Sequence, residues 1–493
     1  MTGILTIAGP QTLSCQVLVI GSGAGGASVA ATLAEAGIDV LMLEEGPYIP
    51  AAEAPAGISA SMLSMWRGGG LLATLGSQIA FAEGRCVGGG TEINSAIFQR
   101  TPDSVVRHWA AANGLGDFSP ESLAPYFARA AAAVNASLTA GPAGPPTEIL
   151  ARAGAAMGWK VAQLERAQNG CVGTNLCSAA CPTGGKGSMT ATLIPRALMR
   201  GARLLPRARL QKLIQRNGRA GGAIAMAVGP DGRCHKVTIA AETIFLCAGT
   251  TQTPALLSRS GLKGPIGQSF QLHPTIRLLA RFKDPINAQR YRLPLVAITE
   301  FMPELRFGGS IFSLPTFGMA LAEDWTNRAG LLPDYGRHAI YYAMIKPDGA
   351  GRIRTLPGIG EPVTSYRLTE RDRRRLWQGT QMLAGALLAA GAEHVTPSVV
   401  GHPGWSDAAM AARDGAPGAS RVNLMSIHLF ASCPMGEKAG IHPVDSLGRL
   451  RGLENVMVAD GSVLPGAPGV NPQGTIMALA MRTADAWLTR RPV

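Results

Sequence analysis

The clearest pattern of apolar and polar positions lies near the N-terminus, where residues 16–45 read as strand, turn, helix and strand. The run VLVI at 17–20 is uninterrupted and apolar, as expected of a parallel strand buried on both faces. The alanine-rich stretch at 27–37 has helical spacing and ends in glycine, which commonly closes a helix. A second apolar run then leads to Glu44. The pattern predicts an α/β fold that opens with a Rossmann-type unit.

A second pattern occupies the later part of the chain. Two strand-like runs, IRLLARF at 276–282 and AIYYAMI at 339–345, precede a helix-like stretch at 375–392. They predict an inserted substrate domain, 276–419, with an antiparallel sheet backed by helices. The apolar stretch 476–488 predicts a closing helix. The nucleotide-binding domain is then discontinuous, with a connecting segment at 136–179 and three parts at 14–135, 180–275 and 420–493.

Composition sets the class of protein. With 493 residues, 46% of them apolar, the chain can bury a large core in two or three domains. Its net charge is +13, but the densest basic cluster, 371–375, lacks interleaved aromatics and reads as a solvated helix face, so no nucleic-acid partner is predicted. No apolar run reaches the roughly 18 residues of a membrane span, and no secretion signal is evident. The default expectation is a cytoplasmic protein, with export on a partner subunit as an alternative.

The turn after the first strand carries a phosphate-binding pattern. Gly21, Gly23 and Gly26 supply G-x-G-x-x-G between a predicted strand and helix. The first glycine allows the tight turn, the second lets backbone approach a pyrophosphate, and the third lets the helix pack closely. Glu44 ends the next strand and is the candidate for holding a ribose hydroxyl, with Glu45 as the neighbouring alternative. The pattern predicts a dinucleotide without distinguishing FAD from NAD.

Three cysteines, Cys171, Cys177 and Cys181, lie within eleven positions, and a proline follows the third. A disulfide is disfavoured in the cytoplasm and would leave one thiol over. Structural zinc would need a fourth ligand, and no histidine is near. Clustered thiolates ending in Cys-Pro are also typical of iron–sulfur ligation, where three ligands suit a [3Fe-4S] cluster or a [4Fe-4S] cluster with an open position.

Four further stretches resemble, in order and over nearly the whole chain, the glucose-methanol-choline (GMC) oxidoreductases. They are GRCVGGGTEIN, TIFLCAGTTQTPALLSRSGL, IGQSFQLHP and the region 428–485. The resemblance implies FAD as cofactor. This chain has GGG where many members have GGS. The triple glycine and the stretch GVNPQGTI are more similar to the cholesterol-oxidase branch than to the glucose-oxidase branch. The implied cofactor contacts are Gly88, Gly89 and Asn94 around the flavin, Leu210 beside adenine, Asp460 and Gly461 near the ribityl diphosphate, and Pro472 and Thr475 along the pyrimidine edge.

Oxidising an alcohol requires a base for the hydroxyl proton and a polar group that fixes the oxygen. The resemblance assigns these positions to His428 and Asn471, and their chemistry suits the work because a neutral imidazole accepts a proton and an amide holds an oxygen. His273 and His442 are interpreted as structural. The thiols of Cys247 and Cys433 are predicted to be buried and inert.

The cysteine segment narrows the resemblance. Its C-x5-C-x3-C-P spacing is similar to that of FAD-dependent glucose, sorbitol, fructose and gluconate dehydrogenases, which carry a [3Fe-4S] cluster. Carried over, the cluster ligands are Cys171, Cys177 and Cys181. The implied partners are a small-molecule alcohol and an electron acceptor: a cytochrome, a quinone, a ferredoxin-like protein, or a route through a small partner subunit.

Three hypotheses follow for function. The first is an FAD-dependent dehydrogenase that oxidises a CH–OH group and relays electrons through the cluster. The second is a cholesterol-oxidase-like enzyme that uses dioxygen and has no cluster. The third is a non-catalytic flavin-binding subunit. The substrate is not identified, although an aromatic content of 5% offers few stacking platforms for sugars and leans toward an apolar alcohol.

Overall fold

A computed structural model describes residues 2–76 and 79–490 of the chain, so the last residues of the predicted nucleotide-binding domain, 491–493, lie outside it. The first layer is a seven-stranded sheet, which we call the flavin sheet. Four of its strands, together with Val456–Val458, run parallel, and two antiparallel strands extend one side. The strand order is Arg203–Leu205, Val40–Leu43, Gln11–Ile20, Cys234–Leu246, Arg219–Val228 and Ala208–Arg216, with Val456–Val458 also paired to Cys234–Leu246.

The predicted opening unit is confirmed. The strand Gln11–Ile20 is followed by the helix Ala24–Glu35 and the parallel strand Val40–Leu43. The first strand begins six residues before the apolar run because its exposed N-terminal half pairs with the long strand Cys234–Leu246. The helix is buried over most of its length and packs against the closing helix Gln473–Thr489, which explains its small side chains.

The second layer is a nine-stranded sheet, here the substrate-side sheet. It contains both strands predicted from the apolar runs, within Thr275–Phe282 and His338–Ile345, and the predicted helix, Glu370–Ala389, packs on it. Its pairings are antiparallel except for one. The strand order is Leu72–Ala73, Ile79–Phe81, Leu424–Ser426, Thr275–Phe282, His338–Ile345, Leu305–Gly309, Val296–Ile298 and Val161–Gln163, with Ala392–Pro397 beside Thr275–Phe282.

The remaining helices cover the two sheets. None of the helices in the described part of the chain is both long and apolar enough to cross a bilayer. The helices are Ile58–Met65, Gly90–Ile93, Asp103–Asn113, Pro120–Ala133, Pro145–Ala156, Leu193–Met199, Gln252–Arg259, Leu314–Ala322, Trp325–Arg328 and Ala408–Arg413.

A short ladder joins the layers at the position that matters for chemistry. Gln271–Leu272 pairs antiparallel with Leu429–Phe430, and the next residues outward, His273 and His428, also share a backbone hydrogen bond of 3.3 Å. Smaller hairpins complete the fold, formed by Ala350–Arg354 with Val363–Arg367 and by Ala136–Ser137 with Arg166–Ala167. The fold therefore sets two histidines side by side between the sheets.

Candidate active site

A cavity of about 330 Å³ runs from the flavin sheet to the substrate-side sheet. Its walls include the glycine turn after the first strand, His428, and Tyr342 and Met344 of the substrate-side sheet. Eleven of the residues predicted for the catalytic and cofactor sites are brought together on its surface. They are Gly21, Gly23, Glu44, Gly89, Asn94, Leu210, His428, Asp460, Gly461, Asn471 and Pro472.

The glycine turn leaves a helix terminus open to this cavity. Gly21 has φ of +100°, a conformation that favours glycine, and a side chain there would strike the carbonyl of Cys247. Gly23 is the N-cap of the helix Ala24–Glu35 and, having no side chain, gives no cap hydrogen bond. The first N–H groups of that helix therefore face the cavity without a side-chain acceptor, which is the arrangement that binds a diphosphate.

Gly26 has the packing role predicted for the third glycine of the pattern. A Cβ at this position would lie 1.8 Å from the carbonyl oxygen of Gly21 and 3.2 Å from the Cβ of Cys247. The adjacent Gly25, which the pattern does not single out, is equally tight: its Cβ would lie 1.9 Å from the carbonyl oxygen of Ala459. These contacts hold the helix close against the strands.

Glu44 is buried and lies at the predicted end of the second strand. Its carboxylate accepts hydrogen bonds from the backbone N–H and hydroxyl of Ser22, at 3.2 and 2.8 Å, and from the N–H of Gly46 at 2.9 Å. Burial raises the pKa of Glu44 above its ordinary value, against those hydrogen bonds. Glu45, the alternative acid, also lines the cavity but is paired with Arg67 at 2.8 Å.

Asp460 ties together two segments, 249–253 and 460–462. Its carboxylate accepts from the N–H of Gly249 at 2.9 Å, the hydroxyl of Thr253 at 2.5 Å and the N–H of Ser462 at 2.8 Å. Asn94 is anchored in a similar way, since its Nδ2 donates to Oε1 of Gln473 at 2.7 Å. Both side chains are thus committed to shaping the wall, and the backbone beside them faces the cavity.

Two predicted contact residues lie behind the wall. The N–H of Gly88 donates to the hydroxyl of Ser22 at 3.1 Å, so Gly88 supports the glycine turn from outside the cavity. The hydroxyl of Thr475 lies 2.6 Å from that of Thr101 and is buried. Neither residue lines the cavity.

The residues fit FAD. The uncapped helix terminus suits the diphosphate, Glu44 and Leu210 line the same cavity and would hold the adenosine, and glycines at 89 and 90 leave room for a flat ring. When bound, FAD supplies the group that accepts a hydride from a substrate carbon.

The two predicted catalytic residues are in direct contact. Nδ2 of Asn471 lies 3.0 Å from Nε2 of His428, and both side chains line the cavity. Burial, followed by the positive charge of Arg306, lowers the pKa of His428 to about 3. The ring is therefore neutral at physiological pH and able to accept a proton.

Sequence reasoning assigned His273 a structural part only, yet it contacts His428. The Nδ1 atoms of the two rings are 3.1 Å apart, and His273 is fully buried. Burial and the neighbouring His428 keep the pKa of His273 well below its ordinary value. The signal was present in the sequence as the histidine of the IGQSFQLHP stretch, but its partner is 155 positions away.

Other sequence interpretations concern residues away from the cavity. His442 has the structural part expected of it: its Nε2 lies 2.9 Å from Oδ1 of Asn113, and it is not on the cavity wall. Cys433 is buried as predicted. Cys247 is also buried, but its residue forms part of the cavity wall beside the glycine turn. Burial raises the pKa of both thiols.

The three clustered cysteines surround a second, smaller cavity. Cys171, Cys177 and Cys181 line it with Arg166 and Lys186, and Nη2 of Arg166 donates to Sγ of Cys177 at 3.0 Å. All three are free thiols. Across residues 2–76 and 79–490, however, no group of three or more His, Cys, Asp or Glu side chains is arranged to hold a metal ion. The predicted [3Fe-4S] cluster is therefore not supported.

A Rossmann-type sheet whose nucleotide cavity is closed by a second sheet, over a neutral imidazole and an amide, defines a class: the FAD-binding oxidoreductases. Residues 14–85 match the model of an FAD binding domain. Residues 62–275 and 347–480 match the two models of the GMC oxidoreductases. The chain belongs to the GMC oxidoreductase family and is an FAD-dependent oxidoreductase.

Relatives extend over the whole chain. It is 49% identical to an uncharacterized GMC-type oxidoreductase of Sinorhizobium fredii, over 99% of this chain and 97% of the relative. It is 34% identical to an uncharacterized GMC-type oxidoreductase of Mycobacterium tuberculosis, over 98% and 77%. A long-chain-alcohol oxidase of Arabidopsis thaliana is 28% identical, over 95% of this chain and 66% of the plant protein.

Solved structures share the fold. Pyridoxine 4-oxidase from Mesorbium loti superimposes with a TM-score of 0.71 at 19% identity, covering 97% of this chain and all of that one. Formate oxidase of Aspergillus oryzae gives 0.73 at 16% identity, covering 97% and 99%. At these identities the likeness concerns the fold alone.

Proposed function

We propose that this protein oxidises the CH–OH group of an alcohol to a carbonyl, with His428 as the base and Asn471 as the group that holds the substrate oxygen. The observation that carries the proposal is the 3.0 Å contact between Nε2 of His428 and Nδ2 of Asn471 on the wall of the FAD cavity. A substrate hydroxyl beside both atoms would replace this direct contact: its oxygen would accept from the amide and its O–H would donate to the ring, so that its proton passes to Nε2.

The buried surroundings suit this proton transfer. His428 is 9% exposed, and its ring contacts another neutral imidazole and an amide. No ion pair within the described residues includes His428. A base without an anionic neighbour stays unprotonated, and its low-dielectric site strengthens the hydrogen bonds that hold the oxygen.

We further propose a primary alcohol with an apolar chain as substrate. The substrate-side wall of the cavity contains an apolar group, Leu293, Met344, Met425 and Ile427, next to the polar side chains of Thr275, Arg277, Ser310 and Tyr342. Relatives at 25% to 28% identity are named long-chain-alcohol oxidases, which supports the same class. Apolar walls favour an alkyl chain by removing it from water, whereas a sugar would leave its hydroxyl groups unpaired.

The test is oxidation by the FAD-loaded enzyme of a panel containing a long-chain primary alcohol, glucose and cholesterol, with product identified by mass spectrometry. We expect the aldehyde of the long-chain alcohol, and loss on the order of 10²- to 10⁴-fold in turnover for His428→Gln, the range of general base catalysis. His108→Gln, on the exposed face of the helix Asp103–Asn113, is the matched control. Undiminished turnover in His428→Gln would exclude His428 as the base, whereas no product from the wild type with any alcohol would favour the non-catalytic hypothesis.

The electrons of the reduced flavin have two candidate routes: relay through a cluster held by the three cysteines, or direct transfer to dioxygen. Direct transfer fits the described residues no worse, because these contain no metal-binding arrangement and several relatives are named oxidases. Anaerobically purified protein assayed for iron and acid-labile sulfide separates the routes. Stoichiometric iron with slow reaction toward air supports the relay, and iron-free protein that forms peroxide in air supports dioxygen.

A further inference from the structure

Arg306 is a buried cation that neither the sequence motifs nor the family models single out. It lies in the strand Leu305–Gly309 of the substrate-side sheet and is 1% exposed. Within residues 2–76 and 79–490 it belongs to no ion pair, and its Nε and Nη2 atoms have no hydrogen-bond partner among protein atoms. A buried charge without a counter-charge destabilises the folded protein, so the presence of this guanidinium points to a functional role.

The contacts of Arg306 lead directly to the proposed catalytic pair. Nη1 donates to Oδ1 of Asn471 at 2.7 Å and to Oε1 of Gln99 at 2.5 Å. A guanidinium can only donate, so the amide of Asn471 must turn its oxygen toward Arg306. Its Nδ2 is then left facing Nε2 of His428 at 3.0 Å.

This orientation decides which nitrogen of His428 carries the proton. An amide nitrogen can only donate, so Nε2 must present its lone pair, and the ring proton lies on Nδ1, toward His273. Each neutral imidazole carries one ring proton, and the contact between the two Nδ1 atoms can hold only one of the two protons. The second proton must therefore lie on an outer nitrogen, Nε2 of His428 or Nε2 of His273, where it would face the N–H donor of Asn471 or of Gly469. We place it on Nε2 of His273, whose contact with the N–H of Gly469 is the longer at 3.2 Å, because Asn471 is held by a cation.

We propose that Arg306 is a positioning residue, which through Asn471 keeps Nε2 of His428 unprotonated, so that its lone pair can accept the proton of the substrate hydroxyl. This inference rests on the function proposed above and deepens it. Arg306 also acts by charge, since it lies close enough to disfavour the imidazolium form of His428. The other titratable groups that act on the two rings are the rings themselves, which are neutral, and Lys346, which is paired with Glu304 at 3.5 Å.

The test compares three variants as FAD-loaded enzymes, by the rate of anaerobic flavin reduction with a saturating alcohol across pH. Arg306→Met removes charge and donor. We expect its rate to fall on the order of 10²-fold, the cost of misplacing a reacting group. We also expect the acid limb of its pH profile, that is, the pH below which the rate falls, to move up toward the ordinary pKa of histidine, about 6.5. Arg306→Lys should recover most of the rate and keep the limb low, and Arg306→Gln should raise the limb while losing less rate than Arg306→Met.

Arg281→Met is the matched control, because Arg281 lies at the far end of the strand Thr275–Phe282 in the same sheet and pairs with Glu393 at 3.4 Å. Identical profiles for wild type and Arg306→Met overturn the inference, as does an Arg306→Lys variant that is as impaired as Arg306→Met. If Arg306→Met does not retain flavin, the comparison is between Arg306→Lys and Arg306→Gln. Rates of these two variants that fall at the same acidic pH overturn the inference. If His428→Gln oxidises alcohol normally, the proposed function itself fails, which is a different result.

Discussion

The ring nitrogens of His428 face a second imidazole and an amide, and the charged group that acts on them is the guanidinium of Arg306. This environment is opposite to the usual triad, in which a carboxylate stabilises the protonated histidine. Here the neutral ring is stabilised before the reaction. The consequence is a base that remains available over a wide range of pH, at the expense of stability in acid.

That expense can be measured. Because the pKa of His428 is lowered from 6.5 to about 3 in the folded protein, the unfolded chain binds a proton that the folded protein refuses below pH 6.5. Stability is therefore lost as pH falls from 6.5, by at most about 1.4 kcal/mol per pH unit for one such group. We expect His428→Gln to show a shallower loss between about pH 6.5 and 4 by chemical denaturation. An unchanged slope would contradict the buried neutral ring.

Asn471→Asp tests the amide that contacts this ring. A carboxylate at 471 would pair with Arg306 but could not donate to Nε2 of His428, and its negative charge would raise the pKa of His428. We expect flavin reduction on the order of 10²-fold slower, with an acid limb shifted to higher pH. Asn113→Asp, beside His442 and outside the cavity, is the control. A wild-type profile for Asn471→Asp would exclude Asn471 from the site.

Among the elements, the helix Ala24–Glu35 binds the diphosphate only if it lies tightly against its turn. Gly26→Ala would place a methyl group 1.8 Å from the carbonyl oxygen of Gly21, against backbone that cannot yield. We expect this variant to lose most of its FAD on purification, seen as a lower ratio of flavin to protein absorbance. Gly318→Ala, in the helix Leu314–Ala322 with nothing within 4 Å, should keep full occupancy. Full occupancy in Gly26→Ala would contradict the close packing.

The elements that the sequence could predict are those with a local signal. The opening unit has an apolar run, a helical period and glycines in order, so its strand, turn and helix were all expected. The strands Val161–Gln163, Ile79–Phe81 and Leu424–Ser426 are three residues long and have no period to detect. They join the substrate-side sheet only through long-range pairing. Local pattern therefore cannot show that this sheet extends outside residues 276–419.

The residues of the candidate site divide in the same way, into those with a local sequence signal and those without one. His428 and Asn471 stand in family motifs and were named from them, whereas Arg306 stands in no motif and contacts Asn471 across 165 positions. A buried arginine cannot be told from an exposed one by composition or spacing. Its part in the site becomes evident only when the strand Leu305–Gly309 is placed beside the catalytic pair.

At the scale of the whole molecule, the cavity lined by the three cysteines is separate from the larger cavity: among the described residues, the two share Leu293 alone. Lys186 links the two regions, donating to the carbonyls of Glu92 at 2.5 Å and Cys177 at 2.7 Å. We expect the triple replacement of Cys171, Cys177 and Cys181 by serine to leave anaerobic flavin reduction unchanged. The reason is that the alcohol reacts at His428 and Asn471 in the larger cavity. Slowed reduction would show that the thiols take part in the alcohol half-reaction.

The central claim is that an alcohol is oxidised at the cavity that holds FAD, with His428 as the base. The most direct measurement is a single anaerobic turnover, followed by the loss of oxidised-flavin absorbance, with a long-chain primary alcohol and its 1,1-dideuterated form. The account predicts rapid bleaching that deuterium slows, and a rate at least about 10²-fold lower in His428→Gln. Bleaching at the wild-type rate in His428→Gln, or none in the wild type with any alcohol, would contradict it.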